Sequence, residues 1–398
     1  MKVCMVAYTF YEGDNRVRRY AESLAARGDH VDVFALRQEG SGRRTRLQGV
    51  NIYKIQRRPV NERKQRDYLL RLLMFMLRSA WHLTLRFAAQ RYDLVHVHSI
   101  PDFEVFAGLI PKLGGAKIVL DIHDIVPELY VGKFGVGKKS PLFKALVLVE
   151  RLSASFADHV VIANDIWHER IISRSVRGAK CSVIMNYPDP SLFSRRPQVP
   201  HPGKFILLYP GTLSRHQGLG TAIEAVDILR ERIPGLELHI YGSGTDEQYF
   251  VKMVKDRALE DKVLFKGLIT IDLVADVMAQ ADLGVEPKSS EGFGDEAFST
   301  KILEFLMVGT PVVVSDTRVH QLYLTDKEVK FFRAGNSGEL AEGIGALYQS
   351  PELRRGYTER GLAFMSENNW AVKKGVYFNL VDSLIKTKPM RHRKAATS

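Results

Sequence analysis

Short apolar runs recur along the chain, separated by longer stretches in which apolar residues return every three or four positions. The first kind reads as buried strand and the second as one-sided helix. Strands are predicted near Lys2–Ala7, His30–Ala35, Leu94–His98, Lys117–Ile122, His159–Ala163 and Ser182–Met185 in the first half. In the second half they fall near Phe205–Tyr209, Leu236–Tyr241, Val263–Phe265, Leu283–Val285 and Val312–Val314. Regular strand and helix alternation predicts an α/β protein of parallel sheets covered by helices on both faces.

Between the two sets lie Pro188-Asp189-Pro190 and the run from Arg195 to Gly203, whose prolines suit neither helix nor central strand. The expected organisation is therefore a first domain over 1–190, a linker over 191–203 and a second domain over 204–369. Residues 370–398 are expected to form a helix from Trp370 to about Ile385, packing back toward the first domain, and a basic tail. At 398 residues the chain suits two cores better than one.

One helical pattern stands apart. From Tyr68 to Phe87, Arg71, Arg78, His82 and Arg86 fall on a single stripe at about 100° per residue, leaving a broad apolar face. Two readings are open: an ordinary domain helix with its arginines outside, or a basic amphipathic helix lying in an anionic membrane interface.

Composition narrows the function classes. The chain is 45% hydrophobic and 26% charged, the balance of an ordered globular protein. Its two cysteines, Cys4 and Cys181, sit in strand-like runs and predict buried thiols in a reducing compartment. Met1–Tyr8 reads as a strand, not as a secretory leader, and arginines interrupt the most apolar helix, so a cytoplasmic or inner-face peripheral location is expected.

A formal charge of +12 implies an anionic partner. The basic residues cluster at Arg57, Arg58, Arg63, Lys64, Arg66 and Arg71, and again at Lys386, Lys388, Arg391, Arg393 and Lys394. No nucleic-acid module accompanies that charge, so nucleic acid is not an expected partner. The first strand-to-helix turn lacks Gly-x-Gly-x-x-Gly, which disfavours a nicotinamide-dependent oxidoreductase.

The densest candidate chemistry runs from Glu291 to Asp316. Ser299 or Thr300 can cap a helix containing Ile302, Phe305 and Leu306, with Gly309 and Pro311 ending it. Backbone N–H groups and the positive dipole end then lie beside Lys301, an arrangement suited to a diphosphate. Glu296 precedes this helix and Glu304 lies one turn inside it.

Two glutamates in that spacing, followed by a helix ending in Gly-x-Pro-Val, resemble the signature of retaining glycosyltransferase family 4 of the bacterial surface-polysaccharide type. The resemblance implies the GT-B fold, two facing Rossmann-like domains with an interdomain cleft, the first binding acceptor and the second a nucleotide-sugar. It implies that Glu296 lies by the donor sugar and Glu304 binds the ribose, with Glu291 the rival to Glu296. The backbone of Ala297, Phe298, Ser299, Thr300 and Lys301 is implied to meet the diphosphate.

Tyr209-Pro-Gly211-Thr-Leu-Ser-Arg215-His216-Gln217-Gly218 resembles the family's Gly-Arg-x-x-x-x-Lys-Gly loop. Here Thr212 and Gln217 replace the two cations, leaving Arg215 or His216 as substitutes. Gly242, in Tyr241-Gly-Ser-Gly244, resembles a donor-side glycine turn, and Leu268 the lining of the base pocket.

In the first half, His123 in Asp121-Ile-His-Asp124 resembles the family's active-site histidine, and His98 is an acceptor-side candidate. A neutral imidazole can donate to a sugar hydroxyl without adding positive charge. Gly13, Asp14 and Arg16 belong to the loop near which family members bind acceptors; Asp14 also suits a helix cap, and Arg16 suits a surface ion pair equally well.

The expected reaction is retaining transfer from a nucleoside diphosphate sugar, UDP favoured over GDP, to a hydroxyl of a lipid-linked or polysaccharide acceptor. No metal and no other cofactor is expected, and an anionic membrane surface is a further expected partner. The alternatives are a GT-B epimerase or phosphorylase, or a basic nucleic-acid-binding protein.

Overall fold

The computed structural model describes residues 1–58, 65–135 and 137–386. Arg63, Lys64, Lys388, Arg391, Arg393 and Lys394, and with them the expected basic tail, lie outside the described residues, as does the side chain of Arg66.

Two compact units emerge. The first comprises Met1–Pro127, Gly137–Met185 and the chain from Lys374 onward, and the second Glu128–Val136 and Asn186–Lys373. This differs from the expected division in three places. The boundary falls at Met185, before the prolines; a short helical segment after Pro127 belongs to the second unit; and the last helix, Trp370–Lys386, starts in the second unit and ends in the first.

The first unit is built on an eight-stranded sheet in the order β3-β4-β2-β1-β5-β6-β7-β8. Its strands are β1 (Lys2–Ala7), β2 (His30–Arg37), β3 (Arg44–Leu47), β4 (Val50–Arg57), β5 (Leu94–His98), β6 (Lys117–Ile122), β7 (His159–Ile162) and β8 (Cys181–Val183). Every pairing is parallel except β3 with β4, a hairpin added at the sheet's edge that the sequence pattern did not announce. Val3 through Val6 and Leu94 with Val95 have no exposed surface, which is why these strands read as unbroken apolar runs.

The second unit carries six parallel strands in the order β11-β10-β9-β12-β13-β14. These are β9 (Phe205–Pro210), β10 (Leu236–Tyr241), β11 (Val263–Gly267), β12 (Leu283–Glu286), β13 (Val312–Ser315) and β14 (Lys330–Phe332). Core residues lie on both faces of the sheet, Leu207, Val226 and Ile344 on one and Leu208, Ile302 and Phe305 on the other.

Strand order reverses between β1 and β5 in the first sheet and between β9 and β12 in the second. In open α/β sheets the crevice beyond the strand ends at such a reversal is where ligands bind. Such crevices lie beyond Ala7 and His98 in one unit, and beyond Pro210 and Glu286 in the other.

Two helices of the first unit matter below: α1 (Asn15–Ala26) and α2 (Gln65–Gln90). Helix α2 is oriented differently from the domain-helix reading. Arg86 turns toward the sheet, its Nη1 3.1 Å from Asp32 Oδ2 and its guanidinium 3.7 Å from the Tyr53 ring centroid, while Arg78 reaches Gln56 of β4. Leu72, Phe75, Leu83 and Phe87 are buried, whereas Leu70, Leu77, Trp81 and Leu85 are exposed. The arginine stripe thus flanks the buried face, and the outward face is apolar. Among the described residues no helix is long and apolar enough to cross a membrane.

Candidate active site

In the first unit the parallel register sets His98 beside Asp121, and Ala7 beside His98, at the carboxyl ends of β5, β6 and β1. Asp14 ends the turn after β1, its Oδ1 accepting the N–H groups of Arg16 and Val17 at 3.1 Å each, the capping contact that starts α1. That cap fixes Arg16 in the first helical turn. From there its guanidinium grips Asp121 as a fork, Nε to Oδ2 at 2.8 Å and Nη2 to Oδ1 at 2.7 Å.

Arg16 and Asp121 are both buried, so the surface ion pair is corrected: Arg16 is half of an internal one. Burial alone would raise the Asp121 carboxyl, but Arg16, then His123 and His98, hold it well below the usual carboxylate range. A permanent anion is thereby fixed under two imidazoles. His98 Nδ1 and His123 Nε2 each lie 3.2 Å from Asp121 Oδ2 and 3.2 Å from one another. Burial lowers His98 despite that anion, so its ring is neutral at neutral pH.

Behind them His96 Nδ1 pairs with the Tyr377 hydroxyl at 2.8 Å, and Tyr20 packs over His96, His98 and Tyr377. Sequence reasoning missed Tyr20 and Tyr377, because nothing local links them to a motif. Asp121 lay inside the quoted motif, and its position at a strand end was the signal that could have found it.

His123 is partly exposed and, with His98 and Asp14, lines a cavity of about 220 Å³ whose other walls include Tyr8, Thr9, Arg58, Tyr68, Ser99 and Asp124. Gly13 lies in a short 3-10 turn, exposed and with open space about it, and does not line this cavity. Among the described residues one group has the spacing to hold a metal ion: His96, His98 and Asp121, whose ligand atoms lie within 4.8 Å of one another. The Arg16 guanidinium already neutralises that carboxylate, which weakens the pull on a dication.

In the second unit the loops after β9 and β12 and the helix Thr300–Val308 come together. Ser299 occupies the cap position, but its hydroxyl makes no capping bond; it is buried and without a partner among the described residues. Gly309, at φ 87°, ends the helix in the left-handed conformation that glycine favours.

Lys301 Nζ lies 2.9 Å from Glu286 Oε2 and 5.2 Å from the centre of the Tyr209 ring. A Cβ on Gly211 would stand 2.8 Å from that Nζ, so the β9 turn passes directly over the lysine. Burial disfavours the Lys301 charge, yet Glu286 and Tyr209 more than offset it and raise its pKa. Glu286 is fully buried at the end of β12 and held low by Lys301 and Lys288 against the burial that would raise it. Lys288 Nζ donates to Ala297 O at 2.6 Å, tying the loop before the helix to the strand end. Glu286 and Lys288 were absent from the sequence-based candidates, although a carboxylate and an amine directly after a strand-like run were legible there.

The other expected donor-side residues divide. Glu296 is half-buried just after a 3-10 turn over Gly292–Asp295, and Glu304 is half-buried one turn into the helix from Lys301. Ala297 is buried, Thr300 half-buried, and Phe298 directs its ring edge-on to His320 and Tyr323. Rival Glu291 is exposed.

Arg215 stacks on Tyr249 at 4.0 Å and lies 3.9 Å from Asp246, so a phosphate must compete with that carboxylate for it. His216 pairs with Ser214 Oγ at 2.8 Å while its carbonyl accepts from Ser289, joining the β9 and β12 loops. Gly218 is required here: at φ 76° a Cβ would meet Pro287 O at 1.8 Å. Gly242, at φ 147°, passes as closely over Gly211. Leu268 is three-quarters exposed beyond β11.

The family described as a glycosyl transferase 4-like domain matches residues 13–187, and the family of glycosyl transferases group 1 matches residues 192–363. EpsD of Bacillus subtilis is 25% identical over 287 residues, covering 68% of this chain and 71% of its own. Sucrose-phosphate synthase of Thermosynechococcus elongatus superposes with a TM-score of 0.79 at 19% identity, over 97% of this chain and all of that one. HepE of Anabaena, solved in complex with UDP, gives 0.69 at 17% identity, over 96% of this chain and all of its own. With two Rossmann-like parallel sheets and a glycosyltransferase domain matched in each half, the chain belongs to the family 4-like glycosyltransferases of GT-B fold.

Proposed function

We propose that this glycosyltransferase moves a sugar from a nucleoside diphosphate donor, UDP in preference to GDP, to a hydroxyl of a lipid-linked or polysaccharide acceptor, with retention at the anomeric carbon. The second unit takes the donor and the first the acceptor, at an anionic membrane surface. The observation that carries the donor half is the start of the helix Thr300–Val308, where Lys301 lies under the Gly211 turn and the buried Ser299 hydroxyl has no partner among the described residues. A helix N-terminus with an adjacent cation suits a diphosphate, and HepE, of similar fold, binds UDP.

As the glycosyl bond breaks, negative charge gathers on the departing diphosphate. Helix N–H groups and the Lys301 ammonium stabilise that charge more in the transition state than in the bound donor, which lowers the barrier without a metal. Gly211, Arg215, His216, Gly242 and Leu268 complete the donor's surroundings, and Glu304 holds the ribose. Glu296 lies by the sugar. His123, kept in place by the Asp121 anion, offers a hydrogen bond on the acceptor side.

A thermal-shift screen of the full chain against UDP- and GDP-sugars, without added metal, tests this. Stabilisation by a UDP-sugar that Glu304→Ala weakens is expected. Indifference to every donor, or a response only with added divalent metal, sinks the reading.

A further inference from the structure

The proline-bearing run from Arg195 to Gly203 is held down at the end of the second sheet where strands begin. Gln280 Oε1 accepts the Val199 N–H at 2.8 Å, Gln280 Nε2 donates to Pro197 O at 3.0 Å, and Gln198 Nε2 donates to Asp282 Oδ1 at 3.1 Å. Asp282 and Pro311 directly precede β12 and β13, so this end of the strands is opposite the one that meets Lys301.

A cavity of about 570 Å³ opens between that run and the helix Pro351–Glu367. Arg195 and Arg196 enter it from the run, Arg354 and Arg355 from the helix, and Val308 and Pro311 add an apolar patch. Asp282 is the one carboxylate in the lining, and both its oxygens are engaged, Oδ1 by Gln198 and Oδ2 by the Ile206 N–H at 2.8 Å. The four arginines differ in their partners. Arg196 pairs with Asp276, and Arg354 donates to the carbonyls of Leu347 and Tyr348, which fixes those two in the wall. Arg195 and Arg355 have no hydrogen-bond or ion-pair partner among the described residues, although the Arg195 stem rests on Gly309, where a Cβ would stand 3.6 Å from its Cγ.

We infer that this cavity is a second anion site, taking a small molecule with two or more phosphate groups. Four guanidinium groups converging on a space of that size, with no free carboxylate in its lining, can meet several phosphate oxygens at once. A nucleic-acid backbone would need cations strung along a surface instead. The helix Thr300–Val308 separates the cavity from the proposed donor site, Lys301 standing at its start and Val308 in the cavity wall; at nine residues it is about 13 Å long. One diphosphate cannot serve both places, and the inference stands whether or not the donor reading does.

Calorimetric titration of the full chain with inorganic pyrophosphate tests this. Pyrophosphate also suits the donor site, so the titration is run in wild type and in Lys301→Ala. In both, Arg195→Gln with Arg355→Gln should weaken one binding event roughly tenfold. Both side chains are exposed, so Tm should not move. Arg37→Gln with Arg57→Gln, the same loss of charge in the first unit, should leave the affinity unchanged. No pyrophosphate binding by wild type, titrations that the Arg195 and Arg355 pair does not alter, or equal weakening by the Arg37 and Arg57 pair overturns the inference. A single-stranded oligonucleotide that binds more tightly than pyrophosphate through Arg195 and Arg355 makes the occupant a nucleic acid and also overturns it. UDP-sugar thermal shifts of the Arg195 and Arg355 pair should match wild type, which keeps failure here distinct from failure of the donor reading.

Discussion

The two charged clusters differ in how they are closed. In the first unit Asp121 is enclosed by Arg16, His98 and His123, and both oxygens of the carboxylate are engaged. In the second, Lys301 faces a buried Glu286 on one side and is partly exposed on the other, at the start of a helix whose first N–H groups have no intrahelical partners. The closed cluster holds imidazoles in position; the open one can take up an anion. Similar charge content therefore closes on itself in one unit and leaves a cation partly exposed in the other.

Breaking the closed cluster should cost the most. Asp121→Asn leaves the Arg16 guanidinium buried without its counter-charge, and denaturant unfolding should show a loss of about 3–5 kcal/mol.

Acidification separates the units by a different route. His320, buried in the second unit with Nδ1 2.9 Å from Ser315 O, is lowered by burial to about 4. Its folded form stays neutral while the unfolded chain takes a proton near pH 6.5, so its stabilisation is complete above about 6.5 and lost as pH falls toward 4. The loss should reach about 3 kcal/mol, and urea midpoints over this range should show a gentler slope in His320→Gln. Asp121, held low, keeps its contribution until pH drops through and below the ordinary carboxylate range.

Opening the second cluster should affect ligand as well as fold, since Glu286 stays buried with Lys288 to offset its charge. Lys301→Ala should weaken nucleotide-sugar binding roughly tenfold or more, the worth of one hydrogen bond to a charged group, read by calorimetric titration. The smallest effect is expected at the entrance to the first cluster: Asp14→Ala removes the α1 cap for about 1 kcal/mol, visible as a modest fall in Tm.

Much of this architecture could be read from the chain. The runs Lys2–Ala7, Leu94–His98 and Lys117–Ile122 form strands with the expected bounds, because strands buried on both faces are mostly apolar, and Leu236–Tyr241 does so through its period-two alternation. Edge elements were illegible for the opposite reason. Arg44–Leu47 is polar and half-exposed, and Lys330–Phe332 is too short to show a period.

Helix α2 misled because two apolar faces at one period resemble a single broad one, and the arginines between them read as solvent-facing until Asp32 and Gln56 supplied partners. The Arg16 ion pair was placed at the surface because its partner lies 105 positions away. The Tyr209–Gly218 loop was legible as a motif, but the pairing of Glu286 with Lys301 was not, because it needs β12 threaded beside β9.

The return of the final helix has a consequence for biosynthesis. Tyr377, which caps His96, and Asp382, which pairs with Arg27, both belong to the first unit although they are translated after the whole of the second. As the polypeptide leaves the ribosome, the histidine cluster must wait until the second unit has been made before its tyrosine arrives. A chain cut before Lys374 would leave the first unit unfinished, not merely shorten the second.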